Sequence, residues 1–185
     1  MSLLQWTHPD LPIRYWCQDE SRLGLKTELG RVITAPGVKP IQRIQWQRSA
    51  FYLYGIVEPQ TGDSFFYEFS HLDAICFEQF LKLVSQAFPT NLNVIQVDNA
   101  PAHTAELEMP DNVVLLFQPP HSPELNPIER VWQDIKVDLK GEVFKTLDSL
   151  REAVREVLGY LTPEWIASLS SYPHILSALS VAGIN

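Results

Sequence analysis

No apolar run in this 185-residue chain approaches the roughly 20 residues that a helix needs to cross a bilayer. The first residues, Met1-Ser-Leu-Leu-Gln-Trp-Thr-His8, lack the basic start and apolar stretch of a secretion signal. Cysteine is scarce: Cys17 and Cys76 sit inside apolar patterns without metal-ligand spacing. That reads as free thiols in a reducing compartment, not as a disulfide or zinc framework. Basic residues are few, 14 against 22 acidic, for a net charge of −8. Such a balance argues against a DNA partner, whose affinity comes largely from cations placed on phosphates. Internal repeats, low-complexity stretches and long linkers are also missing. With 45% hydrophobic and 19% charged residues, one globular domain over residues 1–185 is expected.

The charge is unevenly distributed, which softens the objection to DNA. Residues 14–48 hold seven basic residues (Arg14, Arg22, Lys26, Arg31, Lys39, Arg43, Arg48) against three acidic ones, a local balance of +4. Residues 49–129 hold Lys82 alone against eleven acidic residues, a balance of −10. A basic flank beside an acidic middle suits a metal site with nucleic acid on one side, and a solvated charge pattern explains it equally well.

Arg14 to Lys26 reads as a strand, with Tyr15, Cys17 and Asp19 on one face and Trp16, Gln18 and Glu20 on the other. On this pattern Glu20 is a solvent-facing residue. Thr34-Ala-Pro-Gly-Val-Lys-Pro40 is a loop. Ala50–Val57 and Ser64–Phe69 form a hairpin around Glu58-Pro-Gln-Thr-Gly-Asp63. From Leu72 the period becomes helical, through Ile75, Cys76, Phe80, Leu83, Val84 and Ala87 to about Phe88-Pro89, with Ser70 and Asp73 as a capping box. Asn93–Val97 and Val113–Phe117 are two more strands, and the strand-helix-strand order implies parallel pairing there. Asn126 opens a helix through Ile128, Val131, Trp132, Ile135 and Leu139. A second amphipathic helix follows from Leu147 to Leu161, then one short helical segment from Trp165 to Leu179. The expected class is α/β, with a mixed sheet of three antiparallel and then parallel strands flanked by helices, compatible with a ribonuclease-H-like fold. Its core spans about residues 14–140 and its C-terminal helices about 146–180.

Three carboxylates stand where rigid elements end or begin. Asp98 follows an apolar strand and precedes Asn99-Ala-Pro-Ala-His103; the position suits a ligand site at a strand end, and equally an Asx turn. Asp19 shares a sheet face with Tyr15 and Cys17, which is costly unless it is paired or metal-bound. With Asn126 as N-cap and Pro127 at the first helical position, Glu129 sits where a capping-box glutamate sits, with or without a further role. Asn99 and His103 are accessory candidates; His103 reads either as a group that contacts phosphate or orients water, or as a packed or capping residue. Lys26, Lys39, Arg43 and Arg48 are candidate phosphate contacts by charge grouping.

Asp19-Glu-Ser-Arg22, Asp98-Asn-Ala-Pro-Ala-His103 and Pro119-Pro-His-Ser-Pro-Glu-Leu-Asn-Pro-Ile-Glu129 together resemble the D-D-E transposases of mariner-like bacterial insertion sequences. The resemblance extends to Ala35-Pro-Gly-Val-Lys-Pro40 and to Val131-Trp132 with Lys136, covering roughly residues 14–140. It implies a ribonuclease-H-like DNA endonuclease and strand transferase. Asp19, Asp98 and Glu129 would be its catalytic residues and would hold Mg²⁺ or Mn²⁺, two ions in the chemistry such enzymes use. It selects Glu129 over Glu124, which the spacing leaves open.

The resemblance further implies DNA partners (transposon ends and target), a homo-oligomeric active complex, a cytoplasmic, nucleoid-associated bacterial location and no membrane. The chain departs from the family pattern in three ways. Asp98 to Glu129 is a few residues shorter than usual, His121 replaces a common Tyr, and no helix-turn-helix module precedes the catalytic segment. The last departure suggests an upstream helix-turn-helix polypeptide as partner, as in a split transposase. The alternatives are an inactive or domesticated fragment acting as a binding module, and a ribonuclease-H-like nuclease of another kind.

Overall fold

The computed structural model describes residues 11–25, 36–37, 49–120 and 122–184. Five strands, β1 (Ile13–Gly24), β2 (Ala50–Val57), β3 (Ser64–Phe69), β4 (Leu92–Val97) and β5 (Val113–Phe117), form one sheet in the order β3-β2-β1-β4-β5. β1 pairs antiparallel with β2 and β2 with β3, whereas β1 pairs parallel with β4 and β4 with β5. The antiparallel and parallel parts thus meet at β1, the central strand.

Five helices follow: α1 (Ala74–Ala87), α2 (Ile128–Asp138), α3 (Leu147–Tyr160), α4 (Pro163–Ser170) and α5 (Pro173–Ala182). Strand alternation divides the interior in two. Trp16, Tyr54, Ile56, Ile95 and Val97 pack against Phe77, Phe80, Leu81 and Val84 of α1. Tyr15, Cys17, Phe51, Leu53, Val57 and Val94 pack against α2 through Ile128, Val131, Trp132 and Ile135, with α3, α4 and α5 closing that side. Both faces of the sheet are therefore covered. All of β4 is buried, including polar Asn93 and Gln96. These are satisfied sideways: Trp16 Nε1 donates to Asn93 Oδ1 at 3.0 Å, and Gln96 links Tyr15 to Gln118.

Three local expectations change. α1 has Asp73 itself as N-cap, its carboxylate accepting from Cys76 N at 2.8 Å, while Ser70 bonds to His71 instead. Leu72 therefore lies before the helix, and Ile75 is 80% exposed on its outer side. At α2, Pro127 stands at the N-cap with helical angles and no side-chain cap, and Asn126 turns inward to give its amide to the Gln18 carbonyl at 2.8 Å. A buried strand carbonyl that needs a donor outcompetes the exposed helix end. The tail forms two helices, not one. Pro173 bars Tyr172 from helical geometry, so the chain breaks at Ser171-Tyr172 and restarts at Pro173.

The β2–β3 turn docks on this tail. Ser171 Oγ donates to the Pro59 carbonyl at 2.6 Å, and Gln60 Nε2 donates to the Ile184 carbonyl at 3.0 Å. Gly62, at φ +77°, faces α4 so closely that a Cβ there would lie 1.7 Å from the Pro163 carbonyl oxygen. Gly62→Ala should therefore cost about 1–2 kcal/mol for the left-handed backbone and about 1–3 kcal/mol more for the forced displacement of α4. Urea unfolding checks this; a variant as stable as the wild type would contradict the docking.

Candidate active site

Asp19 lies on the β1 face that meets α2, beside Tyr15 and Cys17, as strand alternation requires. Its cross-strand partner on β2 is Gly55. A Cβ at Gly55 would fall 2.7 Å from both Phe66 Cδ1 and Trp132 Cη2. The missing side chain is what lets the Trp132 indole lie over β2, where Nε1 donates to Asp19 Oδ2 at 3.0 Å. Burial pushes the Asp19 carboxyl up to about 7, with the charges of Glu20 and Glu129 adding to it. The Glu20 backbone N–H and the indole N–H pull the other way.

Glu129 occupies the first turn of α2, where the helix dipole favours an anion. Asn126, Glu129 and Trp132 recur every third residue, so they share one stripe. Asn126 and Trp132 hold the backbone of Gln18 and the carboxylate of Asp19, and Glu129 comes between them, close enough to raise Asp19. On its outer side Glu129 opens on a cleft of about 510 Å³ between α2 and the α4–α5 turn, lined also by Arg130, Gln133, Tyr172 and His174.

Asp98 comes to Asp19 through the sheet. Cys17 of β1 is in register with Gln96 of β4, and Asp19 and Asp98 stand two residues further along each strand. The Asx turn is real: Ala100 N donates to Asp98 Oδ1 at 2.8 Å. His103 Nδ1 bonds to the same oxygen at 2.7 Å, and the Asp98 side chain remains 48% exposed. Asn99 Nδ2 donates to the Gln118 carbonyl at 2.7 Å, tying the end of β4 to the proline-rich segment leading to Glu129.

His103 is 2% exposed, packs on Phe77 with ring centroids 4.2 Å apart, and gives its second nitrogen to Glu20 Oε1 at 3.0 Å. With both nitrogens on carboxylates it has no face for a phosphate. Burial works against the charged ring, but the bonds and charges of Glu20 and Asp98 outweigh it, and its pKa is raised. Glu20 is thus no solvent-facing residue, for its side chain is 8% exposed. Strand alternation alone misses this pairing, because it does not show that the far face of β1 is covered; the helix crossing between strands is the signal that one face must be. It misses the indole role of Trp132 and the space at Gly55 too, since period alone makes Trp132 an ordinary core position.

Asp19 and Asp98 stand at matching positions of adjacent strands, and Glu129 in the first turn of α2 lies close enough to Asp19 to raise it. Among the described residues, however, no group of three or more His, Cys, Asp or Glu side chains is placed so that it could hold a metal ion. The donor set is all oxygen and sparse, which suits a hard divalent cation that keeps much of its water and does not suit zinc. Lys26, Lys39, Arg43, Arg48 and His121 lie outside the described residues. Arg14 is spent on an ion-pair cluster with Glu58 and Asp63.

The family described as DDE superfamily endonuclease matches residues 14–151. An uncharacterized protein of Sinorhizobium fredii, y4pE/y4sA, is 32% identical over 102 residues, 54% of this chain and 76% of that protein. Among solved structures, the Mos1 transposase paired-end complex with left transposon end is similar at TM-score 0.67 and 16% identity, over 91% of this chain and 54% of that one. The Mos1 strand transfer complex is similar at TM-score 0.65 and 16% identity, over 90% and 53%. A simian T-cell lymphotropic virus intasome gives TM-score 0.52 and 14% identity, over 78% and 48%. The fold is therefore the ribonuclease-H-like fold expected, and the chain spans about half the length of the Mos1 chains it matches.

Two outcomes follow from the Asp19 environment. Gly55→Ala should cost about 1–3 kcal/mol by overpacking, and Trp132→Phe in the same chain should return part of that cost. Additive losses in urea unfolding would contradict the contact. In metal-free protein, the proton held by Asp19 favours the folded state. That contribution is full below the ordinary value of 3.8 and is lost as pH rises through about 7. Asp19→Asn, neutral throughout, should lack this decline, so its stability relative to wild type grows across the window; parallel curves would contradict the shift.

Proposed function

The chain belongs to the DDE superfamily endonuclease family, and on that premise we propose that it is a transposase catalytic domain. It cuts DNA at transposon ends and joins them to target DNA with divalent metal ions, Mg²⁺ or Mn²⁺. The reading is supported by the placement of Asp19 and Asp98 at matching positions of adjacent strands, with Glu129 close enough to Asp19 to raise it and the Asp98 side chain half open to solvent. Two bound cations would activate the attacking oxygen and stabilise the leaving one across a scissile phosphate.

The residues divide the remaining work. Asp19, held by the indole of Trp132, and Asp98, held through its Oδ1, offer carboxylate oxygens from adjacent strands. Glu129 offers a third from a helix start, and the rigid stripe on α2 fixes its distance from Asp19. Water or a 3′-hydroxyl is the attacking group, oriented in the space that these carboxylates surround. The cleft beside Glu129 gives DNA next to the reacting phosphate room to lie against Arg130 and Gln133.

Every described helix buries apolar residues in the body of the protein. Base reading is assigned in this proposal to a helix-turn-helix segment or polypeptide outside these elements, and the active complex to more than one copy of the chain. No helix among the described residues is long and apolar enough to cross a membrane; the proposed place of action is the bacterial cytoplasm, at the nucleoid. Lys26, Lys39, Arg43 and Arg48 remain the cations proposed to meet DNA phosphates.

Asp19→Asn, Asp98→Asn and Glu129→Gln should each lower Mg²⁺- or Mn²⁺-dependent nicking of supercoiled DNA. The loss should exceed the roughly 10–100-fold that removal of an outer-sphere partner costs. Circular dichroism should show the fold kept. A variant that nicks at the wild-type rate removes its residue from the site, and three such variants remove the proposal.

A further inference from the structure

We infer that Glu20 and His103 form a positioning pair that orients Asp98 for a divalent cation from the opposite side of the sheet. The inference rests on the proposed metal role of Asp98 and concerns residues that would not touch metal or DNA.

The two bonds that Asp98 makes at 2.8 Å and 2.7 Å both fall on Oδ1, from Ala100 N and His103 Nδ1. Oδ2 takes neither, and nearly half of the side chain is exposed. One carboxylate oxygen is thus committed to protein, while the other takes neither bond on a residue that stands in register beside Asp19 of the neighbouring strand. A carboxylate fixed at one oxygen presents the second in a defined direction, at little entropic cost when an ion binds.

The ring that imposes this is itself over-determined. Asp98, Ala100 and His103 form a compact turn in which His103 N donates to the Ala100 carbonyl at 2.9 Å, so the side chain must fold back on Asp98. Phe77 of α1 packs against the ring at 4.2 Å. Glu20 Oε1 takes the far nitrogen at 3.0 Å and also accepts from Gln18 Nε2 at 2.8 Å. Neighbouring residues of β1 therefore serve opposite faces. Asp19 reaches the α2 side directly, and Glu20 reaches Asp98 by way of the α1 side. A carboxylate buried to 8% exposure is costly without a partner, and the partner here is shared with Asp98.

Mn²⁺ binding to the full chain, followed by the electron paramagnetic resonance of free Mn²⁺, tests the pair without any catalytic readout. His103→Leu should weaken binding by about 10–100-fold, and His103→Gln, which keeps one donor, by less. Glu20→Gln keeps an acceptor for the ring and should weaken binding by a smaller factor. The same Glu20→Gln change made in the His103→Leu chain should have no further effect on affinity, because its influence passes through the ring.

Asp98→Asn is the control. If it weakens Mn²⁺ binding while the His103 and Glu20 variants bind as wild type, the positioning pair is refuted and the metal centre stands. The pair is equally refuted if those variants lose only metal-free thermal stability. If Asp98→Asn leaves binding unchanged, the metal centre falls and the pair with it. Should His103→Leu fail to fold, His103→Gln and Glu20→Gln alone decide: unaltered affinity in both refutes the pair.

Discussion

The structure around Asp19 is governed by the cost of gathering carboxylates at the edge of a dry core. Two like charges about 4 Å apart repel by about 4 kcal/mol at an effective dielectric constant near 20. Asp19, Glu20, Asp98 and Glu129 therefore cannot be brought together by packing alone. Each is held by something that tolerates or offsets a negative charge: an indole N–H for Asp19, the first turn of α2 for Glu129, and one imidazole between Glu20 and Asp98. Burial first, and the charges of Glu20 and Glu129 after it, still raise Asp19 to about 7 against these contacts.

The central position of β1 makes the arrangement possible. As the strand between the antiparallel and parallel halves of the sheet, it sends Asp19 toward α2 and Glu20 toward α1. Both helical layers thus reach the same few residues. Gly55 contributes by absence: with no Cβ on β2, the indole of Trp132 passes over the strand to the carboxylate beside it. A helix, a strand and a vacancy on the next strand define the direction of one carboxylate.

What was legible in the sequence was what period and turn chemistry encode. β5 and the two hairpin strands have the bounds expected, the strand expected over Asn93–Val97 starts one residue earlier, at Leu92, and of the two readings of Asp98 the Asx turn is present. What was not legible depended on partners distant in sequence. Asn126 looked like an N-cap because local spacing favours it, yet the Gln18 carbonyl, 108 residues away, claims its amide. Glu20 looked solvent-facing because alternation gives a face and not what covers it, and His103 is separated from it by 83 residues. The break at Pro173 is a local signal, masked by an apolar pattern that runs on through it.

The same acidity that shapes the centre bears on its substrate. Residues 49–129 carry a formal balance of −10, and the stretch from 14 to 48 carries +4. A phosphodiester brings further negative charge, so Asp19, Asp98 and Glu129 repel it as long as their own charge is uncompensated. His103 offsets Glu20 and Asp98 from beneath, but Asp19 and Glu129 have no cationic side chain bonded to them among the described residues. Compensation there must come from protons or from bound cations. With Asp19 near 7, protons suffice in acid, and divalent cations become the stronger competitor as pH rises. On the proposed function, an anionic substrate would then be attracted by the ion and aligned by carboxylates that otherwise exclude it. A centre with no lysine or arginine bonded to Asp19 or Glu129 among the described residues would, on the same proposed function, be repulsive to DNA until cations are bound and attractive afterwards.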